Sequence, residues 1–317
     1  MPRGRTEAEV KASFPPEWRD LPLFSYSQLT TADRCDFLWY IKYGLRQKSG
    51  KNSPRLDMGS FTHTFLADLY QCIADQGMTA HDWVQVRMNV VLMEIMDSLN
   101  FDDQISAAAK AMQLIQRYVR SDVLAGHTPV GIEMHFAVLV TPPSGRSFVL
   151  QGYVDLITID SHGQIWVWDH ETADKLWPPR SIKTFLQLPL YQMLLRADGI
   201  NVHGVMVNRL NSYIYKDMDA QPDAKLFKRE PKIWTPGQLE NIRREFIQLA
   251  ESTLDLMEGK RPARRSISSA CFNCDMVGGC FANLEGEDLV ESLQVNHDRQ
   301  VAFRSMPAGS SITYVED

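Results

Sequence analysis

Residues 151–191 read QGYVDLITIDSHGQIWVWDHETADKLWPPRSIKTFLQLPLY. The stretch opens on a strand, GYVDLITI, in which apolar side chains surround one carboxylate, Asp155. Asp160-Ser161-His162-Gly163 supplies turn residues, and a second strand, QIWVWDHET, ends on Asp169 with Glu171 two positions later. A helix then carries Gln187 and Tyr191, whose i, i+4 spacing puts them on one face. An ionised carboxylate costs several kcal/mol to remove from water unless something pairs with it. Two acids on neighbouring apolar strands therefore ask for a common partner. A hard divalent cation such as Mg or Mn, which takes oxygen ligands, is the usual one. A β-hairpin with two solvated acids is the plainer alternative.

The 317-residue chain is long enough for one large domain or two modest ones, and a hydrophobic content of 44% sustains a packed core. A net charge of −6 excludes a generally basic nucleic-acid binder, so DNA contact falls to local basic patches. No run approaches the roughly 18 apolar residues of a membrane span. The opening MPRGRTEAEVKASFPPEW has no apolar core of the signal-peptide type. A soluble, cytoplasmic protein with no membrane partner is expected. No G-x-x-x-x-G-K-[ST] loop occurs, so ATP-driven translocation by this chain is not expected.

Residues 1–24 read as an N-terminal arm or a loosely packed lead-in. A helix follows with Ser27 as its N-cap and Cys35 in its middle; read alone, Cys35 is a buried core cysteine. Lys42, Arg46, Lys48, Lys51 and Arg55 follow with no acid between them. Both a solvated loop and a phosphate contact remain open for them. A helix over residues 56–74 has Phe61, Phe65, Leu66 and Leu69 as its apolar stripe, with His63 off its centre. Residues 80–122 read as two or three helices forming a helical lobe. Strands return at 130–141 and 147–159 around a Pro142–Gly145 turn, and Glu133 reads as an edge-strand residue. After the helix at 181–197 come a strand at 202–215, an exposed polar segment at 216–234 and an amphipathic helix at 236–258.

Five cysteines occur, at 35, 72, 271, 274 and 280. A reducing compartment argues against structural disulfides. The run C-x2-C-x5-C near the C-terminus points to a metal or cluster, and it lacks the fourth ligand that a zinc or cubane site takes. Cys35 and Cys72 are the two candidates. Four basic residues in GKRPARR, 259–265, precede the run. The tail from 282 to 317 is polar and acidic.

The order G-x-x-D (Gly152, Asp155), then an acid ending the next strand (Asp169), then Q-x-x-x-Y (Gln187, Tyr191) resembles the PD-(D/E)XK nuclease superfamily in its RecB-like branch. The resemblance runs from about Ser25 to Cys280. It implies an α/β fold with a central mixed β-sheet flanked by helices, a restriction-endonuclease-like nuclease core, with a helical lobe and a C-terminal Cys-cluster region. Five segments are expected: the arm at 1–24, a helical region at 25–128, the nuclease core at 129–258, a cluster segment at 259–285 and a tail at 286–317. The resemblance adds His63, through Gly59-x-x-x-His63, to the metal ligands Asp155 and Asp169, and it adds the backbone carbonyl of His170. It gives Gln187 and Tyr191 a part in placing the DNA strand. In iron–sulfur members, the AddB-type helicase-nucleases and the CRISPR-adaptation nuclease, one remote upstream cysteine joins three downstream ones. By that order Cys35, Cys271, Cys274 and Cys280 hold a 4Fe-4S cluster and Cys72 is a core thiol. Zinc is the rival, since it too takes thiolate tetrahedra.

One position departs from the pattern. The family's lysine is replaced by Glu171, a change of two charge units at the centre of the site. Lys175 or Lys183 can reach in on a long flexible stem, a second metal can use the carboxylate, or turnover is lost and DNA binding remains. The expected activity is Mg- or Mn-dependent DNA exonuclease hydrolysis, acting in recombination, repair or CRISPR-type adaptation, on single strands or strand ends. A stand-alone chain of this type also fits a phage-encoded member. The alternative is a catalytically impaired DNA-binding or adaptor protein on the same fold.

Overall fold

The computed structural model describes residues 7–47, 54–97, 99, 102–124, 126–173 and 186–293. The first part of the chain forms α1 (Glu7–Ala12), β1 (Leu23–Ser25), α2 (Tyr26–Arg34) and α3 (Asp36–Trp39). Four helices follow: α4 (Pro54–Gln76), α5 (Ala80–Val86), α6 (Met88–Met96) and α7 (Asp102–Tyr118). The sheet strands are β2 (Thr128–Val140), β3 (Phe148–Ile159) and β4 (Ile165–Ala173), then α8 (Gln187–Ala197) and β5 (Val202–Asn211). The chain continues through α9 (Asp223–Leu226), β6 (Phe227–Lys232), α10 (Pro236–Met257) and α11 (Val277–Leu284).

The sheet runs β1-β3-β4-β5-β6, with β2 on the other edge of β3. β4 and β5 are parallel and joined through α8, while β2–β3, β3–β4 and β5–β6 are antiparallel. Helices cover both faces, as a parallel pair of strands requires. On one side α4, α6 and α7 pack on Leu156, Trp166, Trp168, Met206 and Leu210. On the other, α8 and α10 pack on Phe148, Leu150, Val154, Val167, Val205 and Val207. This is the expected mixed sheet flanked by helices with a helical lobe.

Two features of β3 make a site at its middle. First, one edge of β3 is shared: β1 pairs with residues 149–151 and β4 with residues 156–159. Residues 152–155 fall in the fork between them. Second, the alternation of faces slips there. Phe148, Leu150 and Val154 point to the α8 side, but Leu156 joins the α4 side. A one-residue slip moves every later side chain to the opposite face. Asp155 sits at the slip, in the crease between the two helical layers.

Several local expectations are corrected. The lead-in is packed: Val10, Phe14 and Leu23 are buried against Val149, and β1 is a sheet strand. Ser25, not Ser27, caps the first long helix. Its Oγ accepts from the Gln28 N–H at 3.4 Å while Gln28 Oε1 accepts from the Ser25 N–H at 2.8 Å, a reciprocal pair that satisfies two helix-end donors. Cys35 is not mid-helix, because its φ −165 and ψ 111 break the chain between α2 and α3. The polar segment at 216–234 contains an edge strand, β6, paired with β5. Its Pro231 and charged residues suit an edge, where donors are not all needed.

Candidate active site

The site is built from α4, β2, β3, β4 and the start of α8. A Cβ on Gly59 would lie 2.9 Å from Thr172 Oγ1, so α4 crosses close over β4 and a larger residue would have to displace the Thr172 side chain. One turn later His63 faces the fork, with Nδ1 3.6 Å from Asp155 Oδ2. Asp155 is held from the other side by the His170 backbone N–H, at 2.7 Å. Across β3, Ile132 pairs with Leu156 and Met134 with Val154, which sets Glu133 opposite Asp155. Glu133 takes φ +50, a left-handed conformation that costs a non-glycine residue about 1 kcal/mol or more and recurs at functional sites.

That distortion brings Glu133 into the crease. Ligand atoms of His63, Glu133 and Asp155 all lie within 4.8 Å of one another. Glu133, read from the sequence as an ordinary edge residue, is thus a site residue. A regular count from a Pro142–Gly145 turn would set Glu133 against Val154; the pairing of Val140 with Phe148 shifts the register by one and brings it opposite Asp155.

Asp169 stands outside that three-residue group. It is buried, accepts from Gln187 Nε2 at 3.1 Å and shares a hydrogen bond with Glu171. The same Gln187 Nε2 donates to Tyr191 Oη at 2.5 Å. A Cβ on Gly152 would lie 2.6 Å from Tyr191 Cε1, so the Gly152–Tyr191 pair of the motif is a close backbone-to-ring contact. Glu171 is the in-register β4 neighbour of Arg209 on β5, whose Nη1 lies 2.5 Å from Glu230. Lys175 and Lys183 lie outside the described residues.

The electrostatics follow from crowding four carboxyls in one crease. Burial pushes Asp155 above the usual carboxylate range, partly offset by His63 and the His170 N–H. Asp169 is pushed well above it by burial, then by the charges of Asp155 and Glu171. Glu171 is raised by burial, with His63 and Arg209 pulling the other way. Glu133 is pushed up to about 7 by burial and by Asp155. Such a set holds extra protons unless a cation takes their place. A histidine nitrogen with carboxylate oxygens suits Mn or Mg, so the donor set fits the divalent ion that the motifs imply.

The His170 imidazole turns to the α4 side of β4, with its ring centroid 6.1 Å from that of His63. It stacks on Tyr70 with ring centroids 5.5 Å apart, and its Nδ1 lies 3.0 Å from Asn208 Nδ2. Burial pushes its pKa well below the ordinary value. His170 thus meets the site twice, through its N–H on Asp155 and through its ring, set edge-on to that of His63.

Cys35, Cys271, Cys274 and Cys280 line one apolar cavity with Leu38 and Ile41. Among the described residues no three thiols come within 4.8 Å of one another, so the four are not drawn into one tight group. The Ser266 N–H donates to Cys35 Sγ at 3.5 Å. The two ends of the chain meet around this cavity: Phe37 N–H donates to Arg264 O at 3.0 Å, Lys42 Nζ lies 2.7 Å from Asp275, and Arg261 pairs with Asp36. Cys72 is buried elsewhere, its thiol 3.7 Å from Asp68 Oδ1. No described helix is long and apolar enough to cross a membrane.

The chain is similar to an ATP-dependent helicase/deoxyribonuclease subunit of Clostridium perfringens. It is 25% identical to the protein of strain SM101 over 256 residues, 71% of this chain and 21% of that protein. It is 24% identical to the protein of strain ATCC 13124 over the same shares. The chain therefore spans about one fifth of the length of these relatives. A solved structure from Eubacterium rectale, provisionally designated an exonuclease, overlays 78% of this chain and 86% of its own at 12% identity, with a TM-score of 0.49. Residues 23–281, well over half of the chain and including every site residue described above, match the sequence model of the PD-(D/E)XK nuclease superfamily, and the chain belongs to that superfamily.

Proposed function

We propose that this protein is a divalent-metal-dependent DNA exonuclease that hydrolyses phosphodiester bonds. The observation that carries this reading is the convergence of His63, Glu133 and Asp155 within 4.8 Å, with the Asp169–Glu171 pair on the adjoining strand. His63, Glu133 and Asp155 would hold the ion, with the His170 carbonyl and Asp169 as the further candidates. A bound Mg or Mn supplies an activated water and offsets charge on the phosphate oxygens. The residues of the chain do the rest. The His170 N–H and His63 orient Asp155. Gln187 ties Asp169 to Tyr191, which fixes the wall along which a DNA strand would pass. Arg209, set beside Glu171 in the sheet, holds positive charge next to the carboxylate that replaces the usual lysine.

The four cysteines around one cavity support a 4Fe-4S cluster. The order of one remote upstream cysteine and three downstream ones favours iron over zinc, which also takes thiolate tetrahedra. The curated relatives are named as helicase/deoxyribonuclease subunits, which supports DNA as the substrate; recombination, repair or CRISPR-type adaptation is the setting we propose.

A second reading, DNA binding without turnover, is favoured by Glu171 alone. The test is degradation of single-stranded DNA with Mn by the wild-type chain and by Asp155→Ala. Loss of the 5′ or 3′ label in the first and not the second supports hydrolysis at this site. If the wild type binds DNA without cutting and Glu171→Lys creates cutting, the binding-only reading replaces the first.

A further inference from the structure

β5 carries a polar residue where its pattern asks for an apolar one. Met206 and Leu210 point into the core under α4, α6 and α7, and strand alternation puts Asn208 between them on the same face. Asn208 is fully buried. A buried amide costs free energy unless it is hydrogen-bonded, and this one is bonded on two sides. Its Nδ2 lies 3.0 Å from Tyr118 Oη and 3.0 Å from His170 Nδ1. Its Oδ1 has no hydrogen-bond partner among the described residues. A leucine of similar shape would carry no such cost, so what the amide contributes is direction.

The two bonds belong to a closed circuit. Sheet register sets His170, Asn208 and Arg229 side by side on β4, β5 and β6. Tyr118, the last residue of α7, closes over this row, with Oη 3.4 Å from Arg229 Nη2 and 2.9 Å from Tyr70 Oη on α4. The Val123 carbonyl lies 3.2 and 3.3 Å from the two phenol oxygens and gives the pair an acceptor. Tyr70 then stacks on the His170 ring. The contacts thus run from His170 to Asn208, Tyr118 and Tyr70 and return to His170. Directional polar networks of this kind rigidify the side chains they join.

The circuit meets the acid crease at His170. That residue holds Asp155 through its N–H, at 2.7 Å, and meets the His63 ring edge-on, at 6.1 Å between centroids. A shift of His170 would therefore move the supports of two of the three converging groups. We infer that Asn208, together with Tyr118, is a positioning residue for this site: the circuit fixes His170, and His170 fixes Asp155 and His63. The inference rests on the reading of His63, Glu133 and Asp155 as the groups that hold the ion, and extends it to β5 and α7.

The test reads position and metal binding separately. Full-length protein carrying isotope-labelled histidine gives a backbone amide signal for His170, identified by its loss in His170→Gln. In the metal-free wild type the hydrogen bond to the Asp155 carboxylate should hold this signal downfield. Asn208→Leu, and Tyr118→Phe, which deletes a single hydroxyl, should both move it upfield. Both should weaken Mn binding by about tenfold in calorimetry, the scale of losing a group that orients a metal ligand. Trp83→Phe, a change at a buried ring on α5 in the same lobe, should lower the melting temperature and leave both readings alone. An unmoved His170 amide in the two variants overturns the inference. So does Mn affinity that falls no further than in Trp83→Phe, where the wild type binds Mn. If Asn208→Leu does not fold, Tyr118→Phe decides by the same two readings. A His170 amide that moves in the variants while the wild type binds no Mn keeps the positioning of Asp155 and removes the metal reading.

Discussion

Tyr191 lies so close over Gly152 that a single added methyl would sit 2.6 Å from its ring. The contact couples the strand that bears Asp155 to the helix that bears Gln187. It gives the Gly152-x-x-Asp155 spacing a mechanical meaning: the glycine lets the helix settle low enough for Gln187 to reach Asp169. Gly152→Ala should force Tyr191 and Gln187 away. Overpacking of this kind costs about 1–3 kcal/mol, to be read from urea unfolding, and nuclease activity should fall with it. Unchanged stability and activity would mean that Tyr191 rotates aside at no cost.

Glu133 should matter as much to metal binding as His63 and Asp155, the two residues it converges with. Removal of groups that hold or orient a metal ligand weakens binding by about 10–100-fold. Glu133→Ala should fall in that range for Mn by calorimetry. Glu94→Ala, on the remote helix α6, should bind as the wild type does. Wild-type affinity in Glu133→Ala would demote the residue to a neighbour.

The crowded carboxyls make stability depend on pH, and the sign is set by the direction of the shift. Glu133 goes from an ordinary 4.5 to about 7 in the folded chain. A carboxyl with a raised folded pKa stabilises the fold while protonated, fully so below its unfolded value, and that contribution is lost as pH rises through the folded one. The melting temperature of the metal-free protein should therefore drop between about pH 4.5 and pH 7 by way of this group. Glu133→Gln should flatten part of the slope, and saturating Mn should flatten more of it. The same slope in all three samples would remove these carboxyls as its cause.

Anaerobically purified protein should be brown, with iron bound, and Cys35→Ser should lose both colour and iron. Cys72→Ser should keep them, since Cys72 lies away from the cavity. The cluster would close a loop between Cys35 and Cys271, where a crosslink restricts the unfolded chain strongly in principle. Cys35→Ser should accordingly also lower the melting temperature. Zinc in place of iron in the purified protein would assign the thiols to a structural zinc site.

Much of this protein is legible in its sequence because its strongest signals are local. Alternation placed β3 and β4, Pro142–Gly145 placed the turn between β2 and β3, and 3.6-residue periodicity placed α4 and α10. The spacing of Gly59 with His63, Gly152 with Asp155, and Gln187 with Tyr191 survives folding unchanged, since each pair sits within one element. What periodicity cannot carry is an irregularity. The slip of faces at Asp155, the positive φ of Glu133 and the break at Cys35 each cost local energy and are held by contacts from distant elements. The polar run 227–232 is a strand only because β5 offers it an edge. So the sequence by itself determined the elements and the motif residues. Only the tertiary structure decided that Glu133 joins His63 and Asp155, and that the His170 N–H holds Asp155 while its ring packs on His63. These are relations between segments far apart in the chain, set by packing rather than by local preference.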